Sequence, residues 1–298
     1  MGKIIVLGSI NMDVVVTAPR HPQIGETIFG DEVHFIPGGK GSNQAVAAAR
    51  LDGDVQLIGK LGKDAFGNQL EQFLSSEKLN LKHLSRSESA PTGTALITVN
   101  HDSENTIIVI SGSNMEITPL DVRHVTIRPD TVLVSQFEVP QEVLYVLTQQ
   151  AREAGAKTVL NPAPAGPFID GLLDTIDYLV VNETELAHFA ETELTEDIDA
   201  LTASAKKLRT RPDQTIIVTL GANGLLCVHG DDVTIVEGKK TNALDTTGAG
   251  DCFVGALSVG LSEGMPLVKA LQFANRAASI SVTRLGASSS MPYRHELD

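Results

Sequence analysis

Short β-branched runs recur along this chain with helical stretches between them, and no other feature limits the possible folds as tightly. Ile4–Leu7, Thr131–Val134, Thr158–Leu160 with Tyr178–Val181, and Thr215–Leu220 show little polar alternation. That is expected of strands buried on both faces. Ser42–Leu51, Gly67–Glu77, Gln141–Ala154, Glu183–Ala190, Asp197–Arg209, Asp251–Glu263 and Pro266–Arg284 carry apolar residues at three- and four-residue spacing and read as helices. Gly155 suits a C-cap and Pro266 a helix start. The alternation predicts an α/β fold, with βαβ units stacked into a mostly parallel central sheet and helices on both faces.

Two stretches break the rhythm. Val14–Pro37, and Thr92–Ile110 with its turn at Val99–Asn105, read as antiparallel strands with half-polar faces. They would form a small separate sheet, either a lid over a ligand cleft or an ordinary edge hairpin. No repeat, charge block or Gly/Ser linker divides the chain, so residues 1–298 read as one domain, with lid strands from about 14–37 and 92–110.

Lys and Arg number 23 against 37 Asp and Glu, a net charge of −14. Such a surface does not hold nucleic acid or anionic lipid by general electrostatics, so an anionic ligand must be caught locally. Cys227 and Cys252 are too few for a disulfide framework and have no metal-ligand spacing, which points to a reducing, cytoplasmic setting. The apolar run at Ile4–Leu7 is too short for a signal peptide, and nowhere do about eighteen apolar residues run on as a membrane span requires.

The strongest local signal is Asp245-Thr246-Thr247-Gly248-Ala249-Gly250-Asp251, a small-residue loop before a helical run. Small side chains leave consecutive N–H groups bare at a helix start, where phosphate oxygens are favoured. Asp251 is then either an N-cap or a base that takes the proton of an attacking hydroxyl. A second cluster, Gly38-Gly39-Lys40-Gly41-Ser42-Asn43-Gln44, also precedes a helix. It lacks Walker A spacing, since His34 stands where a glycine is needed and Gly41 follows Lys40. Ser42 or Asn43 would cap that helix, or the glycines would admit a polar ligand. Asn11 and Asp13, at the end of the first strand, add with Lys40 and Asn43 the donors and acceptors that a polyhydroxylated ligand needs.

Asn182-Glu183-Thr184-Glu185 begins a helix with an amide and carboxylates, suited to capping or to ordering metal-bound water near a phosphate. Ile216–Gly224 is a strand running into a glycine-bounded turn, which would cradle a nucleotide or turn a hairpin. The eight histidines have no zinc-ligand spacing, and neither a Gly-x-Ser-x-Gly elbow nor a C-x-x-C is present. Cys252 reads as packing.

Together the clusters resemble the ribokinase family of sugar kinases, whose two signatures match Gly38–Ala45 and Asp245–Asp251, with similarity from Leu7 to Ala287 in the family's order. The resemblance implies a doubly wound α/β domain with a small β-sheet lid used in homodimers. It also implies ATP-dependent phosphorylation of the 5-hydroxyl of D-ribose, with a relative acting on 2-deoxyribose, another furanose or a nucleoside as the alternative. By the same resemblance Asn11, Asp13, Gly39, Lys40, Asn43 and Glu138 hold the sugar, Asp251 is the base, and Gly248, Ala249 and Gly250 form the anion hole. Asn182, Thr219, Gly221, Gly224, Gly250 and Asn275 would bind ATP, and Glu185 would arrange Mg2+ and phosphate. A potassium-type site would fall on Asp245, Thr247, Ser281, Arg284, Gly286 and Ser290, largely through backbone oxygens.

Overall fold

The computed structural model describes residues 2–102 and 104–297. Met1 and Asp298, the ends of the single-domain reading, and Ser103 in the Val99–Asn105 turn lie outside the described residues. The chain opens with strands β1 (Lys3–Leu7), β2 (Asn11–Ala18) and β3 (Glu32–Gly38), then helix α1 (Lys40–Arg50), β4 (Asp54–Leu61), α2 (Ala65–Ser76) and β5 (Asn80–Arg86). Next come β6 (Gly93–Asn100), β7 (Asn105–Ile110), the short α3 (Pro119–Val122), β8 (Val132–Gln136), α4 (Gln141–Glu153) and β9 (Lys157–Asn161). The last part holds β10 (Tyr178–Asn182), α5 (Glu183–Ala190), α6 (Ile198–Leu208), β11 (Thr215–Thr219), β12 (Gly224–His229), β13 (Asp232–Glu237), α7 (Ala249–Ser262) and α8 (Leu267–Ser281).

The main sheet has nine strands in the order β13-β12-β11-β10-β9-β8-β1-β4-β5. From β11 to β5 neighbours run parallel, while β12 and β13 add antiparallel at one edge. The side-chain alternation of a strand sends β1 into two cores. Ile4 and Val6 join one core with α1, α7 and α8; Ile5 and Leu7 join the other with α4, α5 and α6. The unbroken apolar runs of the sequence are therefore these central strands. Strands β4, β5, β12 and β13 extend the sheet beyond them. Polar residues such as Gln56 and Lys60 interrupt β4, and β13 is mostly exposed, so neither reads as a continuous apolar run.

The small sheet runs β3-β2-β6-β7. Its outer pairs are antiparallel, as the half-polar alternation suggests, but β2 pairs with β6 in parallel over Asn11–Ala18 and Gly93–Asn100. The expectation of purely antiparallel strands is corrected there: two hairpins distant in sequence meet side by side, and only tertiary packing sets their relative direction. No described helix is long and apolar enough to cross a membrane.

Candidate active site

Open α/β sheets bind ligands beyond the carboxyl ends of their strands, at the point where strand order reverses. Here the reversal lies between β1 and β8, because β4 and β5 continue to one side and β9, β10 and β11 to the other. Asn11 follows β1, Glu138 follows β8, Asn182 ends β10 and Thr219 ends β11, so these candidates gather at one edge.

Glycines bring the helices in. A Cβ on Gly41 would lie 2.5 Å from the Gly8 backbone, and one on Gly255 would lie 2.6 Å from the Gln44 carbonyl oxygen and 2.7 Å from Ala47 Cβ. The first turn of α1 thus rests on the end of β1, and α7 rests on α1 one helical turn after Asp251. Gly39, at φ 90°, precedes α1 in a conformation that favours glycine.

Asp251 is 6% exposed. Its Oδ2 accepts from Asn43 Nδ2 and its Oδ1 from Gln44 Nε2, both at 3.0 Å. The capping readings are corrected here. Helix α7 starts at Ala249 after Gly248, so Asp251 is its third residue and its carboxylate crosses to α1. Helix α1 starts at Lys40 with no side-chain cap; Ser42 Oγ donates to the carbonyls of Gly38 and Gly39, and Asn43 reaches Asp251.

Beside this pair lies a cluster of acids around one cation. Burial, then the Glu138 and Asp251 carboxylates, push the Asp13 carboxyl up to about 7. The Asp13 carboxyl packs where a Gly38 side chain would be: a Cβ there would lie 2.1 Å from Oδ2. Burial pulls the Lys40 ammonium down, but Asp251, Glu138 and Glu185 outweigh it and hold its pKa above the ordinary lysine value. Glu138 Oε2 accepts from Ser9 Oγ at 2.5 Å and from the Lys40 N–H at 3.2 Å. Asn11 is 4% exposed, and its Oδ1 accepts from Asn114 Nδ2 at 2.7 Å.

A cleft of about 220 Å³ adjoins these groups, lined by Lys40, Asn182, Glu185, Thr219, Gly248, Gly250 and Asp251, among others. Asn182 is the N-cap of α5: its side chain accepts from the Glu185 N–H at 2.8 Å, and Glu185 Oε2 accepts from the Asn182 N–H at 3.0 Å. Burial raises the Glu185 carboxyl above its usual range against the lowering by Asn182 and Lys40, with Asp251 adding to the rise. Gly221 and Gly224 stand outside the lining of that cleft. Gly221 lies in the turn that Gly224 ends, between the antiparallel β11 and β12, so the segment turns a hairpin. Asn275 lies on α8, where its Nδ2 donates to the Glu237 carbonyl at 2.9 Å.

Around the remaining candidates, Asp245 links two loops: its Oδ1 accepts from the Thr247 N–H at 2.9 Å and its Oδ2 from the Gly286 N–H at 2.8 Å. Arg284 pairs with Glu296, and the hydroxyls of Ser281 and Ser290 donate to carbonyls of their own helical turns.

Local sequence marks no role for Ser9, Gln44, Asn114, Gln136 or Ser288, all of which the structure brings to the site. Gln44 stood in the glycine cluster beside Asn43, and that adjacency was a usable signal. Asn114, Gln136 and Ser288 lie 103, 92 and 245 residues along the chain from the partners they reach, and no local pattern marks them.

A model of the pfkB family carbohydrate kinases matches residues 1–294. The ribokinase of Haemophilus influenzae is 38% identical over 293 residues, covering 98% of this chain and 95% of that protein. The ribokinase of Bacillus subtilis is 36% identical over 302 residues, covering 100% and 99%. Among solved structures, Arabidopsis thaliana ribokinase complexed with ribose and ATP is 30% identical with a TM-score of 0.91, covering 99% of this chain and 97% of that one.

Proposed function

The chain belongs to the pfkB family of carbohydrate kinases, and from that premise we propose that it transfers the γ-phosphoryl group of ATP to the 5-hydroxyl of D-ribose. The observation that carries the reading is the buried Asp251, set between bare glycine backbone at the start of α7 and the polar groups of Lys40, Asn43, Asp13 and Glu138. The ribokinases of Haemophilus influenzae and Bacillus subtilis align over nearly their whole length, and the Arabidopsis thaliana ribokinase was solved with ribose and ATP.

In this reading the sugar lies between the lid strand β2 and the start of α1. Asn11 and Asp13 meet its hydroxyls from one side, and Gly39, Lys40, Asn43 and Glu138 from the other. Asp251 accepts the proton of the 5-hydroxyl as that oxygen attacks phosphorus. The N–H groups of Gly248, Ala249 and Gly250 meet the charge that builds on the phosphoryl oxygens, that of Ala249 after leaving the Thr246 carbonyl to which it donates at 3.2 Å. Asn182, Thr219, Gly221, Gly224 and Asn275 bind the nucleotide. In an acidic protein the local positive groups, Lys40 and these N–H dipoles, do the electrostatic work.

Mg2+ fits as a partner of ATP: Glu185 keeps one carboxylate oxygen outside its capping bond and would hold the ion's water, and the ion would supply positive charge against the phosphates. A potassium-type cation fits the oxygen set around Asp245, Thr247, Ser281, Arg284, Gly286 and Ser290. There it would supply fixed positive charge beside the anion hole.

The apolar lid sheet is the proposed homodimer contact, and the cytoplasm the proposed location. ADP release from Mg-ATP, measured with D-ribose, 2-deoxyribose, fructose and adenosine and with or without potassium, tests the assignment. Turnover should depend on ribose and rise with potassium. Asp251→Asn should fold normally and lose turnover by about 10²- to 10⁴-fold, the span of general-base catalysis. Preference for another acceptor would overturn the sugar assignment, and near-normal turnover of the variant would remove Asp251 from the base role.

A further inference from the structure

Asp251 is held by two amides, and each amide is itself held. Behind Gln44, which donates to Oδ1, Gln136 Nε2 donates to Gln44 Oε1 at 2.6 Å. Behind Asn43, which donates to Oδ2, Ser288 Oγ donates to Asn43 Oδ1 at 2.5 Å. Gln44, Gln136 and Ser288 are fully buried. A carboxamide has one donor end and one acceptor end, and a half-turn would set its oxygen against the Asp251 carboxylate. With the acceptor end of each amide already occupied, only the N–H end is left to face Asp251. Gly8 leaves room for the Gln136 amide: a Cβ there would lie 2.1 Å from Gln136 Oε1, a buried oxygen with no hydrogen-bond partner among the described residues.

We propose that Gln136 and Ser288 are positioning residues for Asp251, acting through Gln44 and Asn43 as two arms of one clamp. The inference rests on the reading of Asp251 as base. The four donors are neutral, so the clamp fixes the direction of the carboxylate without cancelling the charge that takes the proton. Its parts come from separate elements: α1 carries the amides, β8 carries Gln136, and Ser288 opens the 3-10 turn Ser288–Ser290. The clamp therefore exists only when the end of the main sheet, α1, α7 and the C-terminal loop are all docked.

The test is steady-state kinetics and thermal melting of the whole protein carrying Gln136→Leu, Gln44→Leu, both together, Ser288→Ala, or Asp251→Asn, with ribose and Mg-ATP. Gln136→Leu and Gln44→Leu should each lower kcat about tenfold while the KM for Mg-ATP moves less than about twofold, because a misdirected base costs rate rather than nucleotide binding. The double variant should be no slower than the slower single one, since the two glutamines act in series. Ser288→Ala, which removes one hydroxyl, should lower kcat severalfold and keeps the test open if a buried leucine prevents folding. Parental kcat in a folded Gln136→Leu or Ser288→Ala protein overturns the clamp, as does multiplication of the two glutamine effects. If Asp251→Asn keeps its turnover, the base reading fails and the clamp fails with it. If Asp251→Asn is inactive while the Gln136 and Ser288 variants are normal, the clamp alone is wrong.

Discussion

Asp13 shows how a single residue registers its surroundings. Burial and two carboxylate neighbours push its carboxyl up to about 7. Below about pH 4 the folded and unfolded chains both hold that proton and the shift contributes nothing. As pH rises from there toward 7 the unfolded chain loses the proton first, so stability falls, and above about 7 the folded protein carries the full cost of the buried charge. Asp13→Asn should therefore melt a few degrees higher than the parent at about pH 8 without sugar, with the gap closing toward about pH 4. A gap that does not change with pH would mean that Asp13 is not held in this state. The sequence places Asp13 at the end of the first strand; it stands instead inside β2 of the small sheet, where packing supplies the burial and the two acids from distant segments that shift it.

Elements meet here through missing side chains. Gly255 lets α7 approach α1 closely enough for Asp251 to reach Asn43 and Gln44. Gly255→Val should cost about 1–3 kcal/mol of stability as an overpacked contact. It should also lower kcat about tenfold or more by lifting Asp251 off its amides. Thermal melting and turnover measure the two effects, and a destabilised variant with parental kcat would separate the helix contact from catalysis. Helix positions were legible because three- and four-residue spacing is local: Glu183–Ala190 in the sequence is α5, and each other helical run overlaps a helix within a few residues. Half-polar edge strands such as β5 and β13 were not, because exposure on one or both faces removes the unbroken apolar run.

At the scale of the molecule, the small sheet leaves apolar side chains in solvent. Phe35, Leu96, Ile107, Ile108 and Val109 are each at least 45% exposed, with Ile108 at 64%. An apolar sheet of this kind marks an interaction surface, and a second copy of the chain is the proposed cover. Glu at both Ile107 and Ile108, which point to opposite faces of β7, should turn a species of twice 31.6 kDa into one of 31.6 kDa by light scattering. A parent protein that is already monomeric would refute lid-mediated pairing.

The sequence by itself determined the α/β class, the helices and the glycine clusters, because these are written in spacing over a few residues. It left open whether Asp251, Ser42 and Asn43 cap helices and whether Ile216–Gly224 cradles a ligand or turns a hairpin. Tertiary structure decided the first question, since a capping geometry and a cross-helix contact are the same residues until α7 packs on α1, and it set Ile216–Gly224 across the turn between β11 and β12. It alone decided the parallel join of β2 and β6, the raised carboxyl of Asp13, and the reach of Asn114, Gln136 and Ser288 into the site. Each depends on desolvation or contact between segments far apart in the chain, and no local pattern encodes that proximity.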